Sequence, residues 1–286
     1  MSSKEILVLG SLHYDIFLES NSIPRTGETI KGKKWYPKLG GKGGNQAIAA
    51  SNYPVPTKLI SAVGTDDFAK YILQELKNKK INTNYIQCLN NFNSGMSVAI
   101  SDNEGDYGAI IVSGANLHID TDILNKSEIW KNTEILMIQN EIEEQTNLLA
   151  AKKAKERGVR VFYNAAPAKK INSELLNYID IVLVNTIEAQ DITNIEINSL
   201  NDSREASKQL SEKFPIAILS AGDEGVILCE KQKDPIHFKG IKVKVKSTHG
   251  AGDTFAGTFC GALISNKDLH EAINIANKKA AEFISM

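Results

Sequence analysis

Residues 246–263, KSTHGAGDTFAGTFCGAL, place one carboxylate, Asp253, behind a Gly-Ala-Gly turn that runs into a helix of small residues. Gly250 and Gly252 let the N–H groups around Ala251 face one concavity, an anion-binding nest at a helix N-terminus. Such a nest stabilises the negative charge that develops on a transferring phosphoryl group. Asp253 is then either a cap, worth about 1 kcal/mol to the helix, or a base standing beside an anion hole. A cap accounts for the aspartate but not for the two glycines that leave the nest uncovered.

A second glycine-rich stretch, LGGKGGNQAIAASNY, occupies residues 39–53. Its glycines allow close backbone approach and leave N–H groups free before a helix expected from Asn45. It is not a Walker loop, because Lys42 follows the second glycine of the run and no Ser or Thr comes after it. Gly41 opens the backbone to a ligand, and Lys42 and Asn45 are each able to reach a polar one. In VNTIEAQ, Asn185 ends an apolar strand and Glu188 follows three residues later, so both can face the carboxyl edge of a sheet, where ligands bind in open α/β folds. Both are hard oxygen donors suited to Mg²⁺ through water; the same pair also fits a capping box. In LSAGDEGV, Ser220 and Gly222 either edge a nucleotide pocket or form a plain turn.

The elements that must carry these residues alternate. Short β-branched runs (EILVLG, KLISAVG, EILMIQ, VRVFYNAA, IDIVLVN, PIAILSAG) read as buried parallel strands. Helical patterns lie between them at 66–79, 143–157 and 203–213. This predicts a parallel sheet covered by helices on both faces. Two stretches break the alternation. Residues 11–40 are extended and punctuated by Gly and Pro, and residues 95–112 read as two strands around the polar turn DNEGD. Together they form a small projecting sheet or, alternatively, two unrelated hairpins.

The composition excludes several classes. With a net charge of −1 and no basic block, the chain lacks the concentrated basic face that nucleic acid requires. No apolar run is long enough to span a bilayer. The three cysteines have no metal-ligand spacing; Cys229 and Cys260 read as core residues, and a reducing cytoplasm is the expected location.

GGKGGNQAIAA and THGAGDTFAGTFCGAL resemble the two signature stretches of the ribokinase-like (PfkB) carbohydrate kinases. VLGSLHYDIFLESNSIPRTGET, LMIQNEI, NAAPA, VNTIEAQDIT and ILSAGDEGV follow in the family's order, so the resemblance covers nearly the whole chain. It implies a doubly wound, mostly parallel α/β domain (residues 1–10, 41–94 and 113–286) with a β-sheet lid (11–40 and 95–112). It also implies ATP-dependent phosphorylation of a hydroxyl, usually a primary one, on a small sugar. Asp253 would be the base, with the N–H groups of Gly250, Ala251 and Gly252 as the anion hole. Asp15, His13, Gly41, Lys42, Asn45 and Glu141 would hold the acceptor. Asn185, Ser220, Gly222 and Asn277 would lie along the nucleotide, and Asn185 and Glu188 would organise Mg²⁺. A homodimer paired through the lid is expected.

Three departures qualify this pattern. His13 and Tyr14 stand where ribokinases proper have Asn and a small residue, implying a different sugar or substituent, or else a histidine packed under the lid. Ser247 replaces an aspartate that helps to bind an activating monovalent cation, which leaves K⁺ activation open. The sequence ends at Met286, where relatives continue past the last helix. A nucleoside kinase, with Tyr14 and Trp35 lining a larger acceptor pocket, and a non-catalytic sensor are the alternatives.

Overall fold

The computed structural model describes residues 4–102 and 107–286. Residues 103–106 of the expected DNEGD turn lie outside the described residues, as do residues 1–3. The chain begins with β1 (Glu5–Leu9), β2 (His13–Glu19), β3 (Lys34–Gly40), α1 (Lys42–Ser51), β4 (Thr57–Val63), α2 (Asp67–Asn78) and β5 (Ile86–Cys88). It continues through β6 (Gly95–Ser101), β7 (Tyr107–Val112), α3 (Ser127–Trp130), β8 (Thr133–Gln139), α4 (Glu144–Lys155), β9 (Arg160–Asn164), β10 (Ile181–Asn185) and α5 (Thr186–Thr193). It closes with α6 (Leu200–Lys213), β11 (Ile216–Ser220), β12 (Gly225–Glu230), β13 (Ile236–Lys239), α7 (Ala251–Ile264) and α8 (Leu269–Ser285).

The larger sheet runs β13-β12-β11-β10-β9-β8-β1-β4-β5. It is parallel from β5 to β11, and the hairpins to β12 and β13 make its antiparallel edge. The expected six strand runs are all in it. Their near-continuous apolar character has a direct cause, since alternate side chains enter two different cores. Leu7, Leu9, Leu136, Ile138, Val182 and Val184 pack with Leu148 and Ala151 of α4, Ala189 of α5 and Leu210 of α6. Ile6, Val8, Ile135, Met137, Ile181 and Leu183 pack with Ala47 of α1, Ile72 of α2, Phe259 of α7 and Ile273 of α8. Helices therefore cover both faces, as expected. Because β1 is flanked by β4 on one side and β8 on the other, the strand order reverses there, and a crevice opens at the carboxyl ends.

The smaller sheet, β3-β2-β6-β7, joins the two extended stretches. The alternative of two unrelated hairpins fails, because β2 pairs parallel to β6 along its full length, from His13↔Gly95 to Glu19↔Ser101. Strand parity puts His13, Asp15 and Phe17 on one face, level with Gly40, Lys38 and Tyr36 of β3. Tyr14 faces the other way and stacks on Phe68 of α2, with ring centroids 4.1 Å apart. Tyr71 meets it edge-on. Trp35 also has the opposite parity and is exposed. Neither aromatic lines the face that carries Asp15, which removes the two residues that kept the nucleoside-kinase alternative open.

Cys229 and Cys260 are buried, as read, and none of the cysteines is paired. Among the described residues no helix is long and apolar enough to cross a membrane.

Candidate active site

The two glycine-rich stretches meet because α1 and α7 pack side by side. Helix α1 begins at Lys42, three residues before the expected start, with Gly41 (φ +85°) as its N-cap. A side chain at Gly41 would meet the backbone of Ser11, Leu12 and His13, and one at Gly43 would meet Gly10 and Ser11. These glycines thus let the chain leaving β1 pass directly over the helix start. Gly44 N–H donates to Ser11 O at 3.0 Å and fixes that crossing. No side chain of the first turn caps α1. Glu141 does so from the loop after β8: its Oε2 accepts the Lys42 N–H at 2.9 Å and the Ser11 hydroxyl at 2.5 Å.

Helix α7 starts at Ala251 from Gly250 in the left-handed region (φ +84°), with no side-chain cap. Asp253 sits in its first turn, buried at 5 % exposure. Its carboxylate does not cap α7. It turns across to α1, where Oδ1 accepts from Gln46 Nε2 at 2.9 Å and Oδ2 from Asn45 Nδ2 at 3.3 Å. The cap reading is therefore set aside. Of the three expected nest donors, Ala251 N–H is engaged to Thr248 O at 3.2 Å, which tightens the turn. Gly252 has open space where a side chain would be.

Charges gather around this carboxylate. Burial pushes the Asp253 carboxyl up from the ordinary carboxylate range; the Lys42 ammonium is the largest opposing influence, followed by the Gln46 amide, while Glu141 pushes it further up. Glu188 is also raised by burial, opposed by the Asn185 N–H and by the same Lys42 charge. Lys42 therefore acts electrostatically on both acids.

Asn185 and Glu188 form the capping box that their spacing allows. Asn185 Oδ1 accepts from Glu188 N–H at 2.9 Å, and Glu188 Oε2 accepts from Asn185 N–H at 2.7 Å. This does not displace the Mg²⁺ reading. The box occupies the single side-chain oxygen of Asn185 and one of the two of Glu188, and both residues are the hard oxygen donors Mg²⁺ prefers. Among the described residues no three His, Cys, Asp or Glu side chains converge on a metal position.

The β10–β11 register sets Ser220 beside Asn185. Gly222 (φ +59°) begins the turn that follows, and Gly240 N–H donates to Glu224 O in the same corner. Asn277 of α8 donates to Lys239 O at 2.9 Å. These residues gather at the antiparallel edge of the sheet, at its carboxyl end.

On the lid, Asp15 is buried, and Oδ1 accepts the Ser97 hydroxyl at 2.5 Å. Any side chain at Gly40 would overlap that carboxylate. His13 is 2 % exposed, and its buried Nε2 has no hydrogen-bond partner among the described residues. Four residues of the site carry no local signal of their partners in the sequence: Gln46, Gln139, whose Nε2 donates to Gln46 Oε1 at 2.9 Å, Ser97, and His249, whose Nε2 lies 3.9 Å from Asp15 Oδ2. Gln46 adjoins the singled-out Asn45, and His249 lies inside a quoted motif, so only their long-range partners were hidden.

The chain matches the family described as pfkB family carbohydrate kinase over residues 3–285. It is 32% identical over 280 residues to the ribokinase of Haemophilus influenzae, covering 97% of this chain and 91% of that one. A structure of Arabidopsis thaliana ribokinase complexed with ribose and ATP superposes with a TM-score of 0.91 at 29% identity, over 100% of this chain and 94% of that one. A nucleoside kinase of Methanocaldococcus jannaschii superposes with a TM-score of 0.83 at 22% identity, over 100% and 93%. That last likeness concerns the fold alone. The chain belongs to the pfkB family of carbohydrate kinases.

Proposed function

We propose that this pfkB-family chain transfers the γ-phosphoryl group of ATP to a primary hydroxyl of a small sugar, with ribose the first acceptor to test. Asp253 carries the reading. It is a buried carboxylate in the first turn of an uncapped helix, and two side-chain amides of α1 hold it away from that helix's own N–H groups. A structural cap would be spent on those groups instead.

In this reaction the acceptor hydroxyl gives its proton to Asp253 as its oxygen bonds to the γ-phosphorus. The bond from that phosphorus to the bridging oxygen breaks, and ADP leaves with the electron pair. With the Ala251 N–H engaged to Thr248 O, Gly250 and Gly252 offer their N–H groups to the transferring charge. Asp15, His13, Gly41, Lys42, Asn45 and Glu141 hold the acceptor, while Asn185, Ser220, Gly222 and Asn277 follow the nucleotide. Asn185 and Glu188 would hold Mg²⁺, which would supply neutralisation of phosphate charge. The strands β2, β3, β6 and β7 act as a lid that excludes water, a competing phosphoryl acceptor.

K⁺ finds no carboxylate at position 247. Ser247 offers a neutral hydroxyl whose oxygen accepts the His249 N–H at 3.3 Å. A homodimer through the lid is supported by the edge strand β7, where Ile110, Ile111 and Val112 are all more than half exposed. A cytoplasmic location is supported by the unpaired cysteines, two of them buried.

The test is ADP release over pentoses, ketohexoses, amino sugars and nucleosides, with and without K⁺. Ribose is expected to lead, independently of K⁺. Turnover confined to nucleosides would move the assignment to a nucleoside kinase. No turnover with any acceptor would leave the sensor reading.

A further inference from the structure

Asp15 divides its carboxylate between the lid and the cleft. Oδ1 is taken by Ser97. Oδ2 lies 3.9 Å from Nε2 of His249, the residue before the Gly250 N-cap. That gap is too long for a direct hydrogen bond, yet one oxygen atom fits about 2.8 Å from both atoms at once. The His249 ring stands edge-on to Phe17, with centroids 5.5 Å apart at 83°, so a lid aromatic orients it. Its side chain is nevertheless 47% exposed, open to an incoming molecule. The turn that presents Asp253 thus also presents an imidazole to the acceptor side of the lid.

We infer that His249 is an acceptor-binding residue: one sugar hydroxyl donates to Asp15 Oδ2 and accepts from His249 Nε2–H. The inference rests on the proposed role of Asp15 in holding the acceptor. It joins lid and catalytic turn through a single substrate group, so a sugar lacking that hydroxyl leaves two polar groups unsatisfied. Sites of this kind discriminate strongly against the deoxy analogue.

The experiment compares wild type, His249→Phe, His249→Gln and Asp15→Asn on D-ribose and on its 2-deoxy and 3-deoxy analogues. Phe keeps the ring contact with Phe17 without an N–H donor, whereas Gln restores a donor. His249→Phe should raise KM for ribose about five- to tenfold, with kcat within about twofold, as loss of one hydrogen bond requires. His249→Gln should return KM to within about twofold of wild type. For one deoxy analogue, neither His249→Phe nor Asp15→Asn should add any further loss, because the shared hydroxyl is already gone. A His249→Phe enzyme with wild-type KM overturns the inference, and so does a penalty equal for all three sugars. If Asp15→Asn leaves KM for ribose unchanged, the role of Asp15 falls and the inference falls with it. Impairment by Asp15→Asn alone sinks only His249.

Discussion

Gln46 reaches from α1 to α7 and donates Nε2 to Asp253 Oδ1 at 2.9 Å, while Gln139 at the end of β8 donates to Gln46 Oε1 at 2.9 Å. The second bond decides what the first can be. With its oxygen held by Gln139, the Gln46 amide has only its nitrogen to turn toward the carboxylate. The sheet thereby aims the proposed base through two neutral side chains, and the Gln46 amide also opposes the rise that burial causes in the Asp253 pKa.

Gln46→Leu should remove that aim and a hydrogen bond to a charged group, worth about 1.5–3 kcal/mol. The expected loss in kcat is about ten- to a hundredfold, with ATP affinity by calorimetry unchanged. Asp253→Asn should abolish turnover while ATP still binds. Full activity in either variant would contradict the assigned roles.

The charges around Asp253 set the direction of a pH experiment. Burial raises its pKa and Lys42 lowers it, so removing that cation in Lys42→Met should move the acid limb of kcat/KM to higher pH. Glu141 pushes the same pKa up, so Glu141→Gln should move the limb down. Two variants shifting in one direction would show that another group controls the limb. The linkage sign follows as well. A carboxyl whose folded pKa lies above its unfolded value contributes stability that is lost as pH rises through the folded pKa. Asp253→Asn should therefore be at least as stable as wild type at neutral pH in thermal unfolding.

Much of this arrangement was legible in the residues. The β-branched runs marked the parallel strands because both faces of the sheet are covered. The start of α1 was not legible, since its cap is Glu141, far along the chain, and a Gly-Lys-Gly-Gly opening reads locally as loop. Parity within β2 already separated Tyr14 from Asp15, so the misplaced aromatic was a local signal left unused. Ser97 and His249 were of another kind. Only the parallel β2–β6 register and the approach of the lid to α7 give them their partners, and no local period encodes either.

His13 shares the lid face of Asp15, and its buried Nε2 lacks a partner among the described residues. A buried polar atom left so costs free energy unless a ligand satisfies it. His13→Asn should thus change the order of kcat/KM across pentoses and hexoses, by about tenfold for at least one pair. An unchanged ranking, with only a lower melting temperature, would reduce His13 to packing.

The small residues after Asp253 have their own consequence. Gly257 lies where α7 crosses α1, and a side chain there would run into Gln46 O, Ala49 Cβ and Ala50 N. Backbone atoms of a buried helix cannot step aside cheaply, so Gly257→Ala should force the two helices apart. Overpacking of this kind costs about 1–3 kcal/mol of stability, readable as a lowered unfolding midpoint in urea. The displaced segment is the one that holds Asn45 and Gln46 against Asp253, so kcat should fall together with stability, although residue 257 itself meets no substrate. A stabilising Gly257→Ala, as helix propensity alone would predict, would mean that the α1–α7 contact is looser than this crossing requires and that the base is aimed by other means.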